Sequence, residues 1–183
     1  MMVRALVTGG ARSGKSAFAE RMVHGLGGEE VLYIATAEAQ EGDAEMRRRV
    51  QEHRLRRPAG WDTFEVSYST EGASLAEAAR AAEGAEGGEG AKAVLLDSLT
   101  LWVSGRMAAE DGELLDELDR SLRALGGIAA PVVVVTDEVG LGLVPESPEG
   151  RRFRDLIGLA NQRVAAVAEE VYLCVSGVPL RMR

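Results

Sequence analysis

The stretch Gly9-Gly10-Ala11-Arg12-Ser13-Gly14-Lys15-Ser16, entered from the apolar run Ala5-Leu6-Val7, decides the fold of this chain. It fits G-x-x-x-x-G-K-[ST] between a strand-like run and an amphipathic helical pattern, the setting in which that spacing binds phosphate. Glycines let successive backbone N–H groups curl around an anion, and the N-terminus of the following helix adds partial positive charge. Lys15 is then placed to reach the β- and γ-phosphates, and the Ser16 hydroxyl to ligate Mg²⁺. A chance glycine-rich turn would not bring both flanking patterns with it. The expectation is a chain that handles a nucleoside triphosphate.

Composition sets the frame. The length of 183 residues suits one domain spanning residues 1–183. Hydrophobic residues make up 46% and aromatic ones 4%, so the core must be built mainly from Leu, Val and Ala. A formal net charge of −8 argues against general binding to DNA or RNA, which calls for a basic face. The single cysteine, Cys174, lies in the apolar run Val171-Tyr172-Leu173-Cys174-Val175 and reads as a small buried strand residue. No disulfide within the chain is possible, in keeping with a reducing cytosol. No apolar stretch approaches the ~18–20 residues of a membrane span, and Met1 leads directly toward the first strand without a signal-peptide pattern. These features predict a soluble, cytoplasmic protein.

Strand and helix patterns alternate. Short apolar runs at 5–8, 31–35, 93–96, 132–136 and 171–176 are bounded by Gly, Pro or charge, and segments with helical period occupy 15–26, 44–56, 75–83, 114–125 and 151–169. A shorter strand around 63–66 and an edge strand at 178–182 complete the pattern. Near-continuous strand hydrophobicity with helices between predicts a mostly parallel sheet covered on both faces, a three-layer α/β domain. Residues 83–90, rich in Gly and Glu, read as a surface connection. There is no internal repeat.

Beyond the phosphate loop, Ala93-Val94-Leu95-Leu96 ends in Asp97. A carboxylate at the carboxyl end of a buried strand organises Mg²⁺ in P-loop enzymes, although an Asp there also simply caps the next turn. The upstream loop favours the nucleotide-site role, with Ser98 and Thr100 as further hydroxyls. Residues 45–58 gather six arginines in a chain that is otherwise acidic. Met46, Val50 and His53 share one helical face. Two readings stand open from spacing: a solvated charged helix whose histidine packs, or arginines that neutralise phosphates and set His53 beside them as base or nucleophile. His24 falls near the end of the first helix and reads as a partner for terminal carbonyls. Thr136-Asp137-Glu138-Val139-Gly140 follows a central strand, where ligand-binding residues of open α/β sheets collect, and Glu138 is a candidate for Mg²⁺, water or substrate contact.

Taken in order, several blocks resemble the bifunctional adenosylcobinamide kinase/adenosylcobinamide-phosphate guanylyltransferase family. They are the phosphate loop, Tyr33-Ile34-Ala35-Thr36, Arg49-Val50-Gln51-Glu52-His53 with Arg57-Pro58 and Trp61, and Thr136-Asp137-Glu138-Val139-Gly140. Phe153-Arg154-Asp155-Leu156-Ile157-Gly158-Leu159-Ala160-Asn161-Gln162 and Val175-Ser176-Gly177 extend the likeness over nearly the whole chain. The resemblance implies a RecA-like P-loop domain, assembled as a homotrimer, that acts in cobalamin biosynthesis. It implies phosphorylation of adenosylcobinamide by GTP or ATP, then GMP transfer from GTP to adenosylcobinamide phosphate. It also implies that His53, in the R-[IV]-x-x-H pattern, carries GMP covalently. By the same likeness Thr36 and Ala37 line the nucleotide site, Arg54, Leu55, Arg56 and Arg57 approach GTP, and Glu65 and Asp97 complete recognition, with Ser16 and Asp97 toward Mg²⁺. Asp137 stands where the family is expected to have Asn, Gly105 where Asn often stands, and Ser98 where Cys is frequent. The rival readings are a P-loop kinase of another small metabolite and a RecA-like nucleotide-binding module that drives a partner.

Overall fold

The computed structural model describes residues 3–36, 47–48, 50–51, 54–55, 57–67, 74–84 and 90–183. In chain order these form β1 (Val3–Gly9), α1 (Lys15–Gly27), β2 (Val31–Ala35), β3 (Asp62–Glu65), α2 (Leu75–Ala82) and β4 (Ala93–Asp97). They continue with α3 (Leu99–Gly105), α4 (Asp111–Leu125), β5 (Val132–Val135), α5 (Pro148–Val167), β6 (Ala168–Val175) and β7 (Val178–Arg181). Residues 47–48, 50–51 and 54–55 are helical as well.

The strands form one seven-stranded sheet in the order β3-β2-β4-β5-β1-β6-β7. Every pairing is parallel except β6 with β7, which are joined by a tight turn and run antiparallel. Strand β5 lies between β1, which carries the phosphate loop, and β4, which ends in Asp97. This is a RecA-like P-loop architecture, as the sequence leads one to expect. Because side chains alternate across a strand, the central strands bury residues on both faces. Leu6, Ile34, Val94, Leu96 and Val134 meet α2, α3, α4 and α5 on one side. Ala5, Val7, Tyr33, Leu95 and Val133 meet α1 on the other. The layers are therefore unequal.

Helix starts follow local chemistry. Ser74 opens α2 with a reciprocal capping box to Glu77, Ser98 caps α3 through the Leu101 N–H, and Ser147 caps α5 through the Gly150 N–H. Helix α4 begins three residues earlier than its apolar period suggests, because Asp111 and Glu113 favour a helix N-terminus. Helix α1 is different: its N-terminus has neither a side-chain cap nor an acidic residue in the first turn.

One further helix and the two ends of α5 also depart from the expected pattern. Helix α3 follows β4 where no helix is read from the sequence, since seven residues with Leu99, Trp102 and Val103 all buried show no amphipathic period. Helix α5 starts at Pro148 rather than at residue 151 and stops at Val167 rather than at 169. Its last expected turn is taken by β6, which pairs Val3 with Ala168 and Ala5 with Glu170. Arg4 on β1 fixes that switch by pairing with Glu169 at 2.7 Å and Glu170 at 3.0 Å. The expected 44–56 helix and 83–90 connection fall in part outside the described residues.

Leu118 of α4 is fully buried in the larger layer. Leu118→Ala is expected to lower unfolding stability by about 2–5 kcal/mol, read from urea denaturation; a loss well below that range would show that the layer closes around the gap.

Candidate active site

Strand β1 ends at Gly9, where the chain must pass close to β6. A Cβ on Gly9 would sit 2.5 Å from the Cys174 carbonyl oxygen and 2.6 Å from Ser13 Oγ, so no side chain fits there. The loop then folds on itself: Ser13 N–H donates to the Gly10 carbonyl at 3.2 Å, Arg12 takes a left-handed conformation (φ 57°), and Gly14 enters α1 at φ 90°. From outside, the Gly177 N–H in the β6–β7 turn donates to the Ser13 carbonyl at 2.9 Å. The Glu138 N–H after β5 donates to the Gly9 carbonyl at 3.1 Å. Ser13 Oγ is buried without a protein partner among the described residues. An orphaned hydroxyl beside an uncapped helix N-terminus fits an anion in the loop.

Lys15 closes the cradle. Its ammonium lies 2.5 Å from Asp137 Oδ1 and donates to the Gly10 carbonyl at 3.3 Å. Asp137 is itself held from behind: its N–H donates to Thr100 Oγ1 at 2.7 Å, and its carbonyl accepts from Asn161 Nδ2 at 3.1 Å. Thr136 Oγ1 donates to Asn161 Oδ1 at 2.7 Å and lies 3.3 Å from Thr100 Oγ1. Residues of α3 and α5 thereby fix the strand end that faces Lys15. The Thr100 hydroxyl, a candidate for the site, serves this support.

Asp97 is the last residue of β4 and is nearly buried. Its Oδ2 accepts from Tyr33 Oη at 2.8 Å. Burial, and next the negative charge of Asp97, hold the Tyr33 phenol far above its ordinary pKa, so it remains a neutral donor. The Arg57 guanidinium lies over the Tyr33 ring, 3.4 Å from its centroid, and reaches Thr63 Oγ1 at 3.3 Å. Arg54 pairs with Glu65 on the surface. Thr36 is fully buried; its hydroxyl donates to the Ser98 carbonyl at 2.7 Å and accepts from the Ser98 N–H at 2.8 Å. It thus braces the ends of β2 and β4. The Glu138 carboxylate accepts from the Gly140 N–H at 2.7 Å.

These groups surround one cleft of about 740 Å³, within the ~300–1,000 Å³ of small-ligand sites. Its lining brings together Ala11 through Ser16 of the loop, Tyr33, Arg54, Arg57, Glu65, Asp97 and Asp137. Ser16 and Asp97 share that lining, a hydroxyl and a carboxylate of the hard-oxygen type that suits Mg²⁺ alongside phosphate oxygens. Leu55 is exposed and outside it. His53, Ala37 and Arg56 lie outside the described residues. Tyr33 and the supporting Asn161 carry no site signal in their local sequence beyond the family-like blocks that contain them. His24 sits at the far end of α1, its Nδ1 3.1 Å from the Gly28 carbonyl, and Cys174 is buried in β6.

A family model described as cobinamide kinase / cobinamide phosphate guanyltransferase, CobU, matches residues 5–182. The chain belongs to this family. It is 41% identical over 182 residues to the bifunctional adenosylcobalamin biosynthesis protein CobP of Pseudomonas aeruginosa, covering 99% of this chain and 98% of that one. It is 38% identical over 192 residues to the protein CobU of Salmonella typhimurium, covering 97% and 98%, and 36% identical, with the same cover, to CobU of Escherichia coli. Both of these relatives are named bifunctional adenosylcobalamin biosynthesis proteins. Among the described residues, no helix is long and apolar enough to cross a membrane.

The contact between Lys15 and Asp137 competes with any phosphate for the same ammonium. Asp137→Asn is expected to tighten binding of a non-hydrolysable triphosphate by about fivefold, measured by calorimetry. Equal or weaker binding would mean that the carboxylate helps to position Lys15 instead.

Proposed function

We propose that this chain performs two successive reactions on adenosylcobinamide in cobalamin biosynthesis. A triphosphate, GTP or ATP, first phosphorylates the aminopropanol hydroxyl; GTP then gives GMP to that phosphate, yielding adenosylcobinamide-GDP and pyrophosphate. The observation that carries this reading is the shared cleft, in which the cradle residues Lys15 and Ser16 line one space with Arg54 and Arg57. Fixed cations and backbone N–H groups around a phosphate chain stabilise the charge that builds during phosphoryl and nucleotidyl transfer.

In the first reaction the substrate hydroxyl oxygen attacks the γ-phosphorus, its proton departs, and the bond to the β,γ-bridging oxygen breaks. In the second, an imidazole nitrogen of His53 attacks the α-phosphorus and the bond to the α,β-bridging oxygen breaks, releasing pyrophosphate. The phosphate of adenosylcobinamide phosphate then displaces the imidazole from the same phosphorus, regenerating His53. The assignment of His53 is supported by the Arg49-Val50-Gln51-Glu52-His53 pattern of the family resemblance. Ser16 and Asp97 are the residues that would hold Mg²⁺, which when bound neutralises phosphate charge. Tyr33, by donating to Asp97, orients that carboxylate. Arg54, Arg56, Arg57 and Glu65, with Ala37, are read as the nucleotide-facing set, while the buried Thr36 acts behind them by holding Ser98. The working form is inferred to be a cytoplasmic homotrimer. Apolar side chains exposed along β6 and β7, among them Val175, Val178 and Leu180, are consistent with subunit contact.

Incubation with α-labelled GTP and Mg²⁺ tests the reading. Wild-type protein should retain acid-labile, alkali-stable label, His53→Ala should retain none, and Lys15→Ala should be impaired in both reactions. Wild-type protein that stays unlabelled while hydrolysing the γ-phosphate would overturn the guanylyltransferase assignment. Tyr33→Phe is expected to raise the Mg²⁺ concentration for half-maximal activity by about tenfold with the fold retained; an unchanged Mg²⁺ dependence would remove Tyr33 from the site.

A further inference from the structure

From Val139 to Pro145 the chain reads Val-Gly-Leu-Gly-Leu-Val-Pro, with no charged residue between Glu138 and Glu146. Val139 lines the nucleotide cleft. Immediately beyond it Leu141 is 84% exposed, Leu143 97% and Val144 64%. One exposed leucine needs no explanation, but three large apolar side chains within four positions make a patch. The loop is anchored on both sides. The Gly140 N–H donates to Glu138 Oε1 at 2.7 Å, while Arg151 Nη1 donates to the Pro145 carbonyl at 3.0 Å and the Glu146 carbonyl at 2.6 Å. A fixed base therefore presents an apolar tip to solvent. The loop leaves the carboxyl end of β5, the neighbour of β1 in the sheet, directly after the Asp137 that contacts Lys15.

We propose that residues 141–144 form the surface on which the corrin macrocycle of adenosylcobinamide rests during both reactions, an inference that depends on the function proposed above. The substrate hydroxyl hangs on an aminopropanol arm, and a bound triphosphate occupies the cleft. The macrocycle must then stay at the mouth while the arm reaches inward, and the loop that continues the cleft lining is what it meets there. The chemistry agrees. The ring periphery carries methyl groups and neutral amide side chains, which a charge-free apolar contact suits. A nucleotide would find no side-chain donors on this surface, which separates the two binding functions.

The full chain carrying Leu141→Ser, Leu143→Ser and Val144→Ser together, with Leu143→Asp as a second variant, tests the surface. The KM for adenosylcobinamide in the kinase reaction should rise about tenfold or more, since each truncated contact removes apolar burial. The KM for the triphosphate and the GMP label retained on the protein should stay within about twofold, as for surface changes remote from the nucleotide. An unchanged corrinoid KM in these variants, with active wild-type protein, overturns the docking surface alone. A shift in oligomeric state by light scattering that accompanies the KM change assigns the loop to a contact with a second copy and also overturns it. Wild-type protein that consumes no adenosylcobinamide overturns the proposed function, and the surface with it.

Discussion

The hydrogen bond from the Glu138 N–H to the Gly9 carbonyl joins the end of β5 to the first residue of the phosphate loop, and the arrangement of the whole edge follows from that join. A loop that must offer its backbone N–H groups to an anion can spend few of them on itself, and here the Ser13 N–H to the Gly10 carbonyl is one that it does. Its shape has to be imposed by neighbours. Strand β5 imposes it from one side through Glu138 and through Asp137 against Lys15; the β6–β7 turn imposes it from the other through Gly177. Those neighbours are in turn fixed by the interior, where Thr100 and Asn161 satisfy the backbone of Asp137. Buried polar groups linked in this way are rigid when every member is partnered.

The unequal layers suit this task. Among the described residues, helix α1 is the one helix whose buried side chains pack on the central strands on one face, while four helices cover the other. The heavily packed face supplies the stiffness, and the lightly packed face holds the side chains that shape the cleft. Tyr33 belongs to the second group: its ring packs among Val31, Leu95 and α1 while its hydroxyl reaches Asp97 and its face carries Arg57. One residue thus links an apolar core, a strand-end carboxylate and an arginine.

Much of this was legible in the sequence, and the exceptions have physical causes. Buried parallel strands show as unbroken apolar runs, so β2 appears with its full extent and β1, β4 and β5 to within a residue or two at either end. The phosphate loop is visible because its glycines are demanded by a close approach at Gly9 and a positive φ at Gly14. Helix α3 was hidden because it is short and its run of buried residues from Leu99 to Val103, broken only by Leu101, shows no amphipathic period. The start of β6 was hidden because Glu169 and Glu170 look like a helix end until Arg4 on another strand is known to face them. In the site, Lys15 and Asp97 could each be named, but not their partners, and after β5 the sequence singles out Glu138 rather than the Asp137 that contacts Lys15. The contacts of Lys15 with Asp137 and of Tyr33 with Asp97 arise only from the strand order β2-β4-β5-β1, a property of the sheet that no local pattern encodes.

That order makes the hydrogen bond between Gly177 and Ser13 a long-range contact. The two residues lie near opposite ends of the sequence, so this contact carries one of the largest loop-closure entropies in the molecule. Strand β1 and helix α1 are continuous in sequence and need no such closure to acquire their local shape. The Ser13 carbonyl gains its partner from the Gly177 N–H only where the β6–β7 hairpin is in place, so the shape of the loop near one end of the sequence is coupled to an edge of the sheet built from the other.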